Sequence, residues 1–400
     1  MQTAVIFGAG NVGRGFIGQV FSEAGFTVVF VDVAEALLAA LQRGSYRHLT
    51  VDNDGVVERV ISPVTAVNSA DAAALAEIVT GASIAATCVG ARALPLVCRA
   101  LAPALVARIA AGAGPLNLLL AENLHDAVPL VRGWLQEAAT ELDDAALAAN
   151  LGLVATSIGR MIPAPRPELA AADPSVIEVE PYCYLPVDLA AAVGEFPRLP
   201  GVVGDPCLEF GFYGDRKLYL HNMGHAMCAY LGRLAGDEYL WQSVARPEVR
   251  SIVREAMVES AAALATAYGR PLGGLLDHVD DLLHRFGNRA LGDTVDRVGR
   301  DPRRKLAAGD RLLGALALCL ANGVRPSRIS LGIAAGLHWL AAEEGLDEAA
   351  LIRCLDDQQV TRDPAVRDLL LAQYRSLSAG LDAPAQLALI EQQFRQPAIP

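Results

Sequence analysis

The feature that most restricts how this chain can fold lies in its first eighteen residues, where the apolar run TAVIF at 3–7 passes directly into GAGNVG at 8–13 and then a helical pattern to about residue 24. A short, wholly apolar run suits a parallel strand buried on both faces. The GxGxxG spacing then predicts a dinucleotide-binding turn. Gly8 permits the tight turn, Gly10 lets backbone approach a pyrophosphate, and Gly13 lets the helix pack closely on the strand. The spacing is weak alone, but a second apolar strand, TVVFV at 27–31, ends in Asp32, 19 positions after Gly13. That is near the distance expected for a carboxylate on a cofactor ribose, and its charge favours NAD over the 2′-phosphate of NADP. The candidate cofactor residues are therefore Phe7, Gly8, Ala9, Gly10, Asn11, Val12, Gly13, Arg14 and Asp32, with Val89 and Gly90 where the next strand, SIAATCVG at 83–90, meets the ligand-binding edge.

Another strand, PLNLLLAEN at 115–123, brings Asn123 to the same edge, as a cap or turn residue or as a functional amide. VIEVEPY at 176–182 alternates as a strand that joins or extends the sheet, and proline-rich text at 163–167 and 196–206 marks loops. The fold class is α/β: a Rossmann-type domain over 1–195, then a mainly helical substrate domain over 196–400. In that second half, helical periodicity predicts helices near 217–234, 248–268, 274–286, 303–322, 328–343 and 363–379.

Composition narrows the function. With 53% apolar residues, 20% charged and a formal charge of −12, the chain reads as a soluble, core-forming protein. It lacks the basic field of a nucleic-acid surface. No apolar run reaches the roughly 18 residues of a membrane span, and the MQTAVIFGAG opening has no signal-peptide pattern, so the expected location is cytoplasmic. Seven cysteines are scattered without CxxC or Cys/His spacing, which predicts buried thiols and no metal site.

The chain carries 31 arginines but only two lysines, Lys217 and Lys305. A lysine can lose its proton near neutral pH when desolvated, whereas a guanidinium does not, so a retained lysine is a candidate base. In RKLYLHNMGH at 216–225, Lys217, Asn222 and His225 fall within about a 140° sector of an α-helix. A base with an amide and an imidazole beside it suits hydride transfer at a secondary alcohol, with Asn123 as a second amide donor. A purely structural reading makes His225 a satisfied buried histidine and Asn222 a helix-end residue. His221, about 100° away, receives no role. Around Lys305, residues 285–311 carry eight cations against four aspartates, an anion-binding wall or a solvated face with i,i+4 pairs.

These stretches, FGAGNVGRGFIG at 7–18, AENL at 121–124, RKLYLHNMGHAMCAYLGRLAG at 216–236 and DTVDRVGRDPRRKLAAGDRL at 293–312, resemble the polyol-specific long-chain dehydrogenases of the mannitol dehydrogenase family. The resemblance implies metal-independent hydride transfer between a polyol and NAD. It makes Lys217 the general base, Asn123 and Asn222 the oxyanion-stabilising pair and His225 a substrate-orienting residue. Arg285 and Asn288, in RFGNR, match a substrate-pocket motif, and Arg300, Arg303 and Lys305 are candidate phosphate ligands. Gly159 stands where the family usually has Asp, and Arg289 where it has Pro. Both changes suit an anionic substrate. The expected pair is D-mannitol 1-phosphate and D-fructose 6-phosphate; an unphosphorylated polyol or a hexuronate is the alternative, and a non-catalytic NAD(H)/sugar-phosphate sensor is another. A monomer or homodimer is expected.

Overall fold

The computed structural model describes residues 2–122, 124, 126–163, 165–204, 209–356 and 359–378. The chain divides into two compact units, Met1–Phe210 and Gly211–Pro400. In the first, the strands run β1 (Thr3–Phe7), β2 (Thr27–Asp32), β3 (Tyr46–Val51), β4 (Val56–Ile61), β5 (Val64–Asn68), β6 (Ala82–Thr87), β7 (Leu116–Leu120), β8 (Leu151–Ala155), β9 (Ile177–Val179), β10 (Leu185–Pro186) and β11 (Val202–Val203). Six of them form one parallel sheet in the order β5-β2-β1-β6-β7-β8. With the β3–β4 hairpin set aside, this is the doubly wound order, reversing direction beside β1.

Side-chain alternation explains why this sheet is buried on both faces. Ala4, Ile6, Val28 and Phe30 enter one apolar cluster, while Val5, Phe7, Val29 and Val31 enter the other. Period-two geometry sends successive residues to opposite faces, so only a continuous apolar run fills both layers. Gly8 has φ +99°, and a methyl added to Gly13 would lie 2.0 Å from the Gly8 carbonyl oxygen. Helix and strand therefore meet at a distance only glycine allows.

Two features of the first unit differ from the sequence expectation. Strand β9 pairs with β3 in a separate three-stranded sheet instead of joining the large one. The hairpin that recruits it has an edge strand, VVERVI, exposed along most of its length, and so lacks the apolar run that marks a buried strand. The first unit also continues beyond residue 195, because β10 and β11 pair in parallel and retain residues 202–203.

The second unit is helical. Pro247–Ala267, Leu272–Phe286, Ser327–Glu344 and Pro364–Leu377 lie close to the predicted helices, and Pro247 and Pro364 occupy first-turn positions. The helix Met223–Leu234 is buried over most of its circumference, with Met223, Met227, Tyr230 and Leu231 fully enclosed. A helix apolar all round needs partners on every side. The expected helix over 303–322 is instead two, Pro302–Lys305 and Leu313–Ala321, separated by a turn containing Gly309 at φ +76°. Among the described residues, no helix is long and apolar enough to cross a membrane.

Candidate active site

In the first unit, the C-terminal ends of β1, β2 and β6 carry the predicted cofactor residues. Phe7, Gly8, Ala9 and Gly13 are buried, Gly10, Asn11 and Val12 are half-buried, and Gly90 is exposed. Asp32 ties two loops together: its Oδ2 accepts the Ala9 N–H at 2.7 Å, and its Oδ1 accepts those of Val33 at 2.7 Å and Ala34 at 3.1 Å. A carboxylate offers about four lone-pair positions, so room remains for a sugar hydroxyl. Apart from its neighbours in the chain, no atom lies within 4 Å of where a Gly10 side chain would begin, so that side of the backbone has open space.

Arg14 has a different setting from the other loop residues. Its buried guanidinium donates through Nε to the Ala9 carbonyl at 2.6 Å and through Nη1 to those of Ser175 at 2.6 Å and Val176 at 2.9 Å. It clamps the glycine loop to the 174–176 segment. The Asn11 amide likewise reaches the Pro163 carbonyl at 3.3 Å. Val89 donates its N–H at 3.0 Å to Glu122, whose other oxygen accepts the Thr87 hydroxyl at 2.7 Å. Burial raises the Glu122 pKa, partly offset by these hydrogen bonds. Asn123 lies outside the described residues.

In the second unit, Lys217 opens a π-helical segment, Lys217–Asn222, in which the Met223 N–H reaches the Leu218 carbonyl five residues back. Such insertions into α-helices are frequent at functional sites. Closing bonds over five residues brings residues five apart toward alignment, so Lys217 and Asn222 share a face more closely than α-helical spacing predicts. Lys217 keeps part of its surface accessible, yet packed protein around its ammonium and the nearby Arg311 charge lower its pKa to about 8. A lysine in that range can both take and return a proton near neutral pH.

His225 lies against Phe286, ring centroids 5.0 Å apart, and its Nε2 is 3.4 Å from Asp293 Oδ2, outside hydrogen-bond geometry. Burial alone would raise the Asp293 pKa, but His225 and Arg297 hold it below the ordinary value. His221 is also part of this cluster: it is buried, 6.0 Å from His225 and 5.7 Å from Phe286. Burial first, then Arg285 and the neighbouring histidines, drive its pKa well below the ordinary value. His278 falls to about 3 through burial and the charges of Arg216 and Arg285. Arg285 is buried with its Nη1 3.3 Å from Asp281, and Asn288 caps a short turn by accepting the Ala290 N–H.

The three expected phosphate ligands are not assembled in this way. Arg303 is exposed and forks onto Glu344. Lys305 is buried and donates to the Val298 carbonyl. Arg300 is exposed. The break between the helices Pro302–Lys305 and Leu313–Ala321 sends these neighbours in sequence toward different partners. Sequence reasoning dismissed His221, passed over His278, and counted Asp293 and Arg311 only among the charges of 285–311; of these four, only His278 stood outside the stretches marked by resemblance. A pocket of about 570 Å³ lined by Asp215, Tyr219, Gly309, Leu313, Gly314 and Ala317, among others, holds none of the predicted site residues. Among the described residues, no group of three His, Cys, Asp or Glu side chains is gathered for a metal ion.

The Rossmann-domain model of mannitol dehydrogenase matches residues 2–201, and the C-terminal-domain model of the same family matches residues 210–392. A relative from Brevibacillus brevis named mannitol-1-phosphate 5-dehydrogenase is 35% identical over 334 residues, covering 84% of this chain and 85% of its own length. Pseudomonas fluorescens mannitol 2-dehydrogenase, solved in a ternary complex with NAD and D-mannitol, shares the fold with a TM-score of 0.71 at 17% identity, over 99% of this chain and 95% of its own. A substrate-free D-sorbitol dehydrogenase does so at 0.77 and 18% identity, over 94% and 93%. With family models matching both halves in order, this chain belongs to the mannitol dehydrogenase family.

Proposed function

We propose that this NAD-dependent polyol dehydrogenase interconverts D-mannitol 1-phosphate and D-fructose 6-phosphate, with Lys217 as general acid and base. The observation that carries the proposal is the Lys217 ammonium, lowered to about 8 on a segment that also presents Asn222. The substrate rests on the likeness to the Brevibacillus brevis enzyme.

The first unit fits NAD. Gly10 leaves space for a pyrophosphate against the backbone, and Asp32 retains acceptor capacity for a ribose hydroxyl while its charge opposes a 2′-phosphate. When bound, NAD supplies the hydride acceptor. Neutral Lys217 takes the proton of the reacting hydroxyl as the alcohol is oxidised, and the Asn222 amide donates to the oxygen as negative charge builds on it. Asn123 is assigned the second amide. His225, set by Phe286 and Asp293, orients a neighbouring hydroxyl, and Arg285 and Asn288 complete the substrate pocket. In the reverse direction the Lys217 ammonium returns the proton to the carbonyl oxygen.

A second reading, an unphosphorylated polyol or a hexuronate as substrate, draws support from the partners Arg303 and Lys305 already have within the protein. Following NADH absorbance with fructose 6-phosphate, fructose and a hexuronate, and with NADPH in place of NADH, separates the readings. Oxidation of NADH with fructose 6-phosphate in strong preference to the others supports the proposal; turnover confined to an unphosphorylated ketose or a hexuronate overturns its substrate.

A further inference from the structure

Most described cations in the 285–311 stretch have acidic partners. Arg285 meets Asp281, Arg297 meets Asp293, Arg303 meets Glu344, and Arg304 meets Asp301 and Asp310. Arg311 is bound differently. Its Nε donates to Asp310 Oδ1 at 2.9 Å, and its backbone N–H donates to the same oxygen at 2.6 Å. No described residue forms a hydrogen bond or ion pair with either Nη group, although only 12% of the side chain is exposed.

Its position is as telling as its fork. The turn that carries it is fastened to the π-helical segment, because the Tyr219 hydroxyl donates to the Gly309 carbonyl at 3.2 Å and the Tyr219 ring packs against Gly314. Arg311 is also the one arginine that acts electrostatically on both lysines of the chain, lowering each. Arg311 thus lies within electrostatic reach of both lysines, with Asp310 and Asp301 as the acids acting nearby, and among the described residues part of its fork has no partner. Holding like charges in a poorly hydrated place is costly unless an anion joins them.

We propose that Arg311 is the anchor for the phosphate of the substrate, its two Nη groups gripping the phosphate oxygens while the reacting carbon sits at Lys217. This rests on the sugar-phosphate reading above and deepens it by moving the phosphate from Arg303 to Arg311. Arginine suits the task because its planar fork matches a phosphate bidentately. Lys305, donating to the Val298 carbonyl, contributes field from behind without contact.

The test measures NADH oxidation by the full-length enzyme, with fructose 6-phosphate as substrate and inorganic phosphate as inhibitor. Arg311→Gln and Arg311→Lys are compared with the wild type after thermal unfolding has confirmed that both are folded. Loss of a charged fork is expected to raise the KM for fructose 6-phosphate and the inhibition constant of phosphate by roughly 10- to 100-fold in Arg311→Gln. Arg311→Lys, a point charge without the fork, should fall between. If Arg311→Gln moves only the pH profile, with KM and phosphate inhibition within about 2-fold of wild type, Arg311 merely tunes Lys217 and the anchor is overturned. A wild type that leaves fructose 6-phosphate unreduced instead overturns the substrate reading, and the anchor falls with it.

Discussion

Asn222 stands five residues beyond Lys217 at the opposite end of one π-helical segment, whose i→i+5 closure turns both side chains toward a common face. An α-helix would separate them by about 140°. On the mechanism proposed above, this closure would let the base and the oxyanion donor address one substrate oxygen.

Removing the base should therefore be severe. Lys217→Ala is expected to lower kcat on the order of 10²- to 10⁴-fold, with KM changed much less and the thermal transition retained. Steady-state kinetics beside circular dichroism checks this, and near-normal turnover by a folded variant would remove Lys217 from the mechanism.

The lysine should also set the pH response. Because burial and the Arg311 charge lower Lys217 to about 8, a base in that position predicts that alcohol oxidation rises as pH passes through about 8, while carbonyl reduction, drawing on the ammonium, declines over the same range. Stability should follow the same groups. Lys217 and Lys305 are both lowered from 10.5 to about 8, so between those values the unfolded chain binds more protons than the folded one. On this account the contribution of both lysines to stability increases as pH rises from about 8 toward 10.5. Kinetic pH profiles in both directions, with urea unfolding at several pH values, test the two halves.

Asp293 is expected to act through His225. Replacing it with Asn keeps the shape but removes the charge 3.4 Å from the imidazole, which should lower kcat/KM by about 10-fold, given what supporting carboxylates contribute elsewhere. A loss confined to thermal stability, with kinetics and pH profile unaltered, would reduce Asp293 to a partner for Arg297.

Asp32 accepts the Ala9 N–H, so its expected role in cofactor choice is joined to loop geometry. Asp32→Asn should weaken NADH binding and raise the ratio of NADPH to NADH efficiency, because the like charge opposing a 2′-phosphate is gone. Titrating both cofactors by their fluorescence tests this; an unchanged ratio would place Asp32 in loop support alone.

Gly13→Ala should be poorly tolerated at the same loop. Its methyl would sit 2.0 Å from the Gly8 carbonyl oxygen, so the helix must move from the strand, at an expected cost of about 1–3 kcal/mol and with loss of NADH affinity. Thermal unfolding with and without NADH measures both effects, and a variant with wild-type values in each would show that the close approach is dispensable.

The sequence by itself determined the parts of the fold that depend on local pattern. Both layers of the parallel sheet were legible because strands such as TAVIF and TVVFV are apolar at every position, which only burial on two faces explains. The glycine turn was legible because its spacing is set by one βαβ unit, and the same spacing and the rarity of lysine singled out Asp32 and Lys217 as candidates. Tertiary structure decided the rest. Strand β9 joined β3 through pairing between residues far apart in sequence, which no periodicity encodes. The break near Gly309 turned an expected single helix into two and sent Arg303 to Glu344 and Lys305 to Val298. His221, dismissed on α-helical angles, entered the cluster beside His225 and Phe286. Charge counted along a chain reports only how many cations a stretch holds; which of them stays available for a ligand depends on the acids that packing brings within reach, and among the described residues those acids take both ends of the Arg303 fork but only the Nε of Arg311.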